Sequence, residues 1–488
     1  MSKDIFIRLF IPGGILSPGD LRKVVSSAYH FGTNSIHISS RQELLLKCKS
    51  QYKKSLEQRF SFLQYKFETE KTQKQNIVTS YPAIHIQETT NWLSEGTFHQ
   101  ILSNFDFQPN LKVNLVDPLQ SLTPLFIGQL NFIASEFRGF WFLYLKMKNQ
   151  KGYDLWPFLV ESNEIPPLCK AIEQTFEKFP SASCEYLKDD VLSFRKWNTI
   201  PIINHLDFPP YQLPYYEGFH QQEDQKWWLG IYNSDNSYNV NFLESLCLLC
   251  SETNNNSIYL TSNSSVIIKN IERKDIFEWE KLLGKYKINT GHSSLELNWQ
   301  IPDLDKEATK LKKFITRSFI KEGLRTNGLI FGIRTTDVDL ACSVIIRRKF
   351  RIQIGNIKLL DFYNISYKKN FDINSREAIS YANYVKKRDV PTVLTYLTEV
   401  FYKKLNSIDA QSESEYLQDE IEINQRPHEE VELFQCQNCL TIYDSRYGDD
   451  IGEIPAGRLF EELPPSYRCP VCDSEKESFN SVNSEILL

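Results

Sequence analysis

The sequence predicts an α+β protein: mixed domains repeated along the body, with a small metal-knuckle domain closing the chain. Three observations predict it. The string NSIHISSRQELLLK (34–47) recurs as NSIYLTSNSSVIIK (256–269), at a constant offset of 222 residues. A recurrence that distant indicates duplicated domains rather than a short-period solenoid. Each copy follows an apolar helical stretch and then reads as short strands, so the repeated unit mixes helix and sheet. Finally, two Cys-x-x-Cys pairs, Cys436/Cys439 and Cys469/Cys472, lie close together near the C-terminus.

Taken in order, GGILSPGDLRKVVSSAYHFGTNSIHISSRQELLLK (13–47) reads as a turn and then an amphipathic helix over about 17–31. Asp20 lies in the first turn, apolar residues recur at Leu21, Val24, Val25 and Ala28, and Gly32 closes the helix. Ile36-His37-Ile38 and Leu44-Leu45-Leu46 read as strands on either side of Ser40-Arg41-Gln42. In the second copy the helical stretch is 241–250. It contains Cys247 and Cys250, whose Leu-Leu spacer and apolar surroundings read as buried packing rather than a redox dithiol.

The chain has 488 residues, a length that suggests roughly three domains of about 150 residues. With 41% hydrophobic and 13% aromatic residues it can build large cores. The N-terminal MSKDIFIRLFIPGGIL makes a poor signal peptide, and no stretch of about 18 apolar residues occurs. Ten cysteines without an export signal read as cytosolic thiols or metal ligands, so the expected location is cytoplasmic, with no membrane partner. No Lys/Arg run, GxGxxG or HExxH occurs, so neither nucleic-acid binding nor a nucleotide loop is expected. Charge is uneven: residues 407–488 carry a formal −14 against −5 for the whole chain, leaving +9 on the first 406. Two separately solvated surfaces account for this. Electrostatic docking of tail on body, or of tail on a basic partner, is the sharper alternative.

Four thiolates make a tetrahedral sulfur site that suits zinc or iron. The 29 residues between the pairs exceed the usual zinc-ribbon gap of about 15–20, which leans away from zinc without deciding. The intervening text is more specific. CQNCLTIYD is followed by an acidic GDDIGEIPAG turn, then FEELP and CPVC. This pattern resembles rubredoxin over about 432–480. The resemblance implies that Cys436, Cys439, Cys469 and Cys472 bind one iron, which shuttles single electrons. It also implies a small aromatic core of Tyr443, Phe460, Tyr467 and Phe479. Rubredoxins usually have Gly after the second cysteine of each pair, where this chain has Leu440 and Asp473. Asp tolerates positive φ and Leu does so badly, so the first knuckle is expected to be strained or locally different.

The body resembles the nitrite/sulfite reductase family, through PGG.L…LR…G…I..SSRQ…L at 13–47 and more weakly through NIVTSYPA, TGHSSLELNW and GLIFGIRTTDVDLACSVII. That resemblance implies ferredoxin-like half-domains at 1–75 and 216–285, and larger α/β domains at 76–215 and 286–405. An acidic linker (406–433) and the rubredoxin domain (434–480) follow. Sirohaem and a four-iron cluster are the family's cofactors, but here neither is expected. The body cysteines, Cys48, Cys169, Cys184, Cys247, Cys250 and Cys342, lack the cluster's spacing. Sirohaem bears eight carboxylates and needs cations. Arg41 keeps the family's SSRQ arginine, Gln75 replaces a second, and Lys112 is the only cation where the family has a Lys-rich element. Arg41 is thus either a residual sirohaem or anion site, or a surface or interdomain salt-bridge partner.

The expectation is a one-electron transfer protein, not a self-contained reductase. Its rubredoxin centre is fused to a degenerate reductase-like body. Its expected partners are redox proteins, a reductase as donor and a nitrite/sulfite or nitrate reductase as acceptor. Two alternatives stand beside it: a sirohaem-binding reductase, and a non-redox scaffold with structural zinc.

Overall fold

A computed structural model of the chain describes residues 4–69, 73–90, 92–146, 152–180, 183–206, 209–336, 338–354, 357–405, 433–445, 448–449, 451–452, 454–455 and 457–482. The expected acidic linker therefore falls almost wholly outside the described residues. The chain divides into two compact units, Met1–Phe401 and Tyr402–Leu488.

In the first unit the expected helix forms as Pro18–His30. Proline suits the first turn because its missing N–H has no helical partner there. Ser17 caps the end, accepting from the Asp20 N–H at 3.0 Å. Leu21, Val24, Val25 and Ala28 are buried, as the periodicity requires. One five-stranded sheet then runs Ser237–Asn239, Ser35–Ile38, Leu44–Lys49, Asp4–Leu9, Phe67–Thr69. A second runs Gly218–Gln221, Trp227–Ile231, Val266–Ile271, Ile258–Leu260, Ile15–Leu16.

The two copies exchange an edge strand. Leu16 pairs with Ile258 in the second sheet, and Tyr238 pairs with Ile36 in the first. Each pair maps onto the other by the same 222-residue shift. The exchange is therefore reciprocal, as in a two-fold dimer built within one chain. The helices Pro18–His30 and Val240–Glu252 share one core with both sheets. Arg22 Nε meets Glu244 Oε1 at 2.7 Å, and these two positions are again 222 apart. Gly14, at the mouth of the exchanged strand, has φ 70, close to the 71 of its neighbour Gly13, and no room for a side chain. A Cβ there would lie 2.5 Å from Leu260 O. Its counterpart Asn236 has φ 57, which Asn tolerates.

Two larger sheets complete the first unit. One contains Ile77–Thr79, Val113–Val116, Leu130–Ala134, Phe140–Leu145, Phe158–Glu161 and Thr199–Pro201, with Asp154–Leu155 beside the fourth. The other contains Trp299–Gln300, Phe331–Arg334, Val344–Ile354, Ile357–Lys368 and Ala378–Lys386. Each begins with three parallel strands and continues antiparallel. Helix Lys306–Glu322 connects the first two strands of the latter sheet and buries Leu311, Ile315 and Phe319. Asp305 caps it.

The second unit holds a three-stranded antiparallel sheet, Ile442–Tyr443, Leu433–Cys436, Phe479–Val482. Its core is Tyr443, Phe460, Tyr467 and Phe479 with Leu463, Cys436 and Cys469, so the expected aromatic set is assembled. Among the described residues no helix is long and apolar enough to cross a membrane.

Candidate functional site

The two Cys-x-x-Cys pairs fold into matching knuckles. In the first, the Cys436 N–H donates to Thr441 O and the Leu440 N–H to Cys436 O, both at 2.9 Å. In the second, the Cys469 N–H donates to Ser474 O and the Asp473 N–H to Cys469 O, also at 2.9 Å. Leu440 has φ 64 and Asp473 φ 58, so both occupy the left-handed region that glycine fills most easily. The first knuckle is therefore not locally different from the second. It carries the strain of a leucine there, and that side chain is 65% exposed.

Two features set the knuckle electrostatics. The Thr441 hydroxyl lies 3.2 Å from Cys439 Sγ, and the Ser474 hydroxyl 3.0 Å from Cys472 Sγ, one hydroxyl per knuckle at equivalent positions. Asn438 Nδ2 donates to Ser474 Oγ at 2.8 Å, which leaves the Ser474 proton free to donate to the sulfur. Contact with Thr441 pulls the Cys439 thiol down to about 6. At Cys436 burial works the other way, but the N–H groups of Cys439 and Asn438 outweigh it and the thiol is lowered. Burial pushes Cys469 up to about 11.

All four sulfurs lie within 4.8 Å of one another. The Cys436–Cys472 and Cys439–Cys469 separations are 3.6 and 3.4 Å. A tetrahedral ion with metal–sulfur bonds of about 2.3 Å needs sulfurs about 3.8 Å apart, so the donor set fits one ion and leaves no fifth position. Cys436 and Cys469 are buried while Cys472 is exposed, which puts one edge of the cage at the surface. Among the described residues these four are the one group of three or more His, Cys, Asp or Glu side chains that converges on a common point. The remaining cysteines are buried. Burial pushes Cys247 up to about 12 and Cys250 well above the usual thiol range, which suits packing and not a reactive dithiol.

Arg41 is 9% exposed and among the described residues makes no salt bridge, so it is buried rather than a surface ion-pair partner. Its guanidinium donates to Asn114 Oδ1 at 2.7 Å, Asn76 O at 2.6 Å and Val113 O at 3.1 Å, while Nε has no partner. The physical reason is that it spans to the edge of the next sheet, whose carbonyls it satisfies. Arg41 also lines a cavity of about 620 Å³ in the first unit, together with Gln75 and Lys112.

Residues that the motifs did not single out complete the cavity wall: Arg8, Glu43, Glu68, Asp303 and Asp339. Arg8 pairs with Glu68 and lies 3.6 Å from Glu43. Asp303 meets His37 at 3.3 Å, and Asp339 meets Lys146 and Arg334 at 2.6 and 2.7 Å. Burial pushes the Glu43 carboxyl up to about 7. The Lys112 ammonium has no partner among the described residues, and burial followed by the Arg41 charge pulls its pKa down.

Comparison with known proteins agrees with both parts. The rubredoxin family model matches residues 433–479, and the model of the nitrite/sulfite reductase ferredoxin-like half domain matches residues 2–47. Rubredoxin-2 of Chlorobaculum tepidum is 46% identical over 52 residues, covering 11% of this chain and all of that protein. Rubredoxin-2 of Desulfovibrio desulfuricans is 42% identical over 59 residues, covering 12% of this chain and 95% of that protein. The solved structure of the Mycobacterium tuberculosis NirA protein superposes with a TM-score of 0.63 at 14% identity, over 82% of this chain and 81% of that one. At that identity the likeness is one of fold. The expected reductase-like architecture of the body thus stands. Because the cage and its sequence also occur as complete small proteins, the chain belongs to the rubredoxin family through residues 433–479.

Proposed function

We propose that the chain transfers single electrons through one iron held by Cys436, Cys439, Cys469 and Cys472. The observation that carries this is the convergence of the four sulfurs within 4.8 Å. Iron in such a site supplies a one-electron couple. The residues do the rest. The knuckle N–H groups and the Thr441 and Ser474 hydroxyls stabilise negative charge on sulfur. The aromatic core keeps water from the inner side of the cage. Cys472 offers a short path to a partner at the surface. A unit this small has too little core to fold alone, so metal binding also supplies its stability.

On this reading the body carries neither sirohaem nor a four-iron cluster. It docks redox partners in nitrite, nitrate or sulfite assimilation, and the protein works in the cytoplasm. The proposed domains are half-domains at 1–75 and 216–285, α/β domains at 76–215 and 286–405, and the rubredoxin domain at 434–480. Two features of the cavity support the absence of sirohaem. Four acids share its wall with three cations, Arg8, Arg41 and Lys112, and among the described residues Arg8 is already ion-paired, too few cations for eight carboxylates.

The test is the visible spectrum and metal content of the protein purified from iron-replete cells. Red colour that bleaches with dithionite, with one iron per chain, is the expected result. Colourless protein with one zinc per chain overturns electron transfer, and haem bands overturn the reading of the body.

A further inference from the structure

We infer that Leu440 is the anchor by which the terminal unit docks a redox protein whose own surface carries an apolar patch inside a basic rim. The inference rests on the electron-transfer reading and deepens it by naming the chemistry of the partner's surface.

The open edge of the cage fixes where such a partner sits. Cys436 and Cys469 are buried, Cys439 is half-buried and Cys472 is exposed. Electron transfer weakens steeply with distance, so a partner's cofactor has to approach on the side of Cys439 and Cys472. Large apolar side chains stand open next to these two ligands. Leu440 follows Cys439 and is 65% exposed, Val471 precedes Cys472 and is 68% exposed, and Ile442 is 37% exposed. Asn438 of the first knuckle donates to Ser474 of the second at 2.8 Å, so the two loops that carry Leu440 and Val471 adjoin. An apolar centre at the place of contact is what a protein partner covers.

Leu440 stands out by its backbone. Its φ of 64 lies in the left-handed region, which disfavours a leucine and not a glycine. Most of the side chain is open to water, so packing within the unit does little to offset that strain. Glycine is the usual residue there in rubredoxins, which makes the leucine a feature of this chain. A strained apolar side chain beside a metal ligand gains once a partner takes it out of water.

Charge describes the rim. Asp473 holds the matching position of the second knuckle, at φ 58. Asp473 and Glu475 are exposed and share one cation, Arg468, at 3.9 and 3.3 Å. Residues 434–480 hold nine acids and four bases. The complement of an apolar centre in an acidic surround is an apolar patch in a basic one.

The test uses the full iron-loaded chain and cytochrome c, a protein whose exposed haem edge lies in an apolar patch ringed by lysines. With both proteins oxidised, calorimetry reads binding while no electron moves. The expected result is one cytochrome c bound per chain, weakened about five-fold or more by Leu440→Asn and unchanged by Leu440→Met. Asparagine tolerates the left-handed backbone, so the polar variant keeps the knuckle. Asp473→Asn combined with Glu475→Gln weakens the complex at low salt and not at high salt. Stopped-flow mixing of the reduced chain with oxidised cytochrome c moves one electron from ferrous iron to ferric haem iron, with no proton transferred. Leu440→Asn slows this step by about five-fold or more, while oxidation by hexaammineruthenium(III), which has no apolar face, keeps its wild-type rate. The inference is overturned if the wild type does not bind cytochrome c, if Leu440→Asn binds as the wild type does, if Leu440→Met weakens binding equally, or if the ruthenium reaction slows by the same factor. Failure of the electron-transfer reading shows differently: the wild type then reduces neither oxidant, and the docking of a redox protein falls with it.

Discussion

The cage of the terminal unit and the cavity of the body solve opposite problems. In the cage, four donors of one kind point inward, within 4.8 Å of each other, and leave no vacancy. In the cavity, acids and bases stand around about 620 Å³ of open space, and most are already paired. The first arrangement can hold an ion and exchange charge but cannot admit a reactant. The second can admit a molecule but offers no converging set of soft donors. The difference teaches that the fold of a body does not by itself say which donors it brings together. Among the described residues the one converging set of four thiols lies in the terminal unit.

The largest expected effect breaks the cage alone. Cys439→Ala removes one of four ligands, and metal binding in comparable small domains is worth on the order of 10 kcal/mol. Loss of the visible bands, of one metal per chain, and of the terminal unit's share of the melting enthalpy is expected. The melting transition of the body unit should persist unchanged. Joint loss of both would show that the units are coupled and would break the contrast.

Next comes the charge buried in the cavity wall. Glu43 is 2% exposed, and burial raises its pKa from 4.5 to about 7. A carboxyl whose folded pKa is raised takes up protons on folding. Its contribution to stability is thus fully present below about pH 4.5 and lost as pH rises through about 7. The loss is about 3 kcal/mol across that window. Glu43→Gln is neutral throughout and should lack this dependence. Chemical denaturation at pH 5 and pH 8 measures it: the variant gains relative to the wild type at the higher pH. A stability difference independent of pH would mean that Arg8 keeps Glu43 ionised.

These two sites were unequally legible in the sequence. The convergence of the four cysteines was legible because they sit in two local strings, and the helix at 17–31 because its apolar period is continuous over three turns. The strand exchange was not legible. Ile15–Leu16 and Ser237–Asn239 are too short to show a period, and each finds its partner strand more than 200 residues away in the chain. Arg41 was located as a motif residue, but its burial was hidden. Its acceptors include the main-chain oxygens of Asn76 and Val113, and a carbonyl has no sequence signature. Lys112 could be counted as a cation, but its burial beside Arg41 could not be read, because that depends on which groups the fold brings near.

Within the cage, the two knuckles offer a finer comparison. Leu440 and Asp473 share a left-handed backbone, and only one of them suits it. Leu440→Gly should stabilise the metal-loaded unit by about 1 kcal/mol, the usual cost of a non-glycine residue there less the entropy that glycine loses on folding. Asp473→Gly should gain at most about half of that, since Asp tolerates the conformation. Denaturant midpoints of the iron-loaded protein rank the two. Equal gains would mean that the exposed leucine is not strained.

The smallest effect concerns the hydroxyls, and it tests whether the matched knuckles act alike. Thr441 and Ser474 each stand about 3 Å from a sulfur. A donor to a thiolate favours the more negative, reduced state, so removing one should lower the reduction potential. If the donor discriminates between the two states by about 0.5–1 kcal/mol, the shift is roughly 20–40 mV for one electron. Thr441→Val and Ser474→Ala should each produce it, with the visible bands retained. Ser474 has the further support of Asn438, whose amide fills its acceptor site and polarises the hydroxyl toward Cys472. Asn438→Ala should therefore lower the potential in the same direction by less, and should have no further effect once Ser474 is alanine. An additive loss in the double variant would mean that Asn438 acts on the cage by another route.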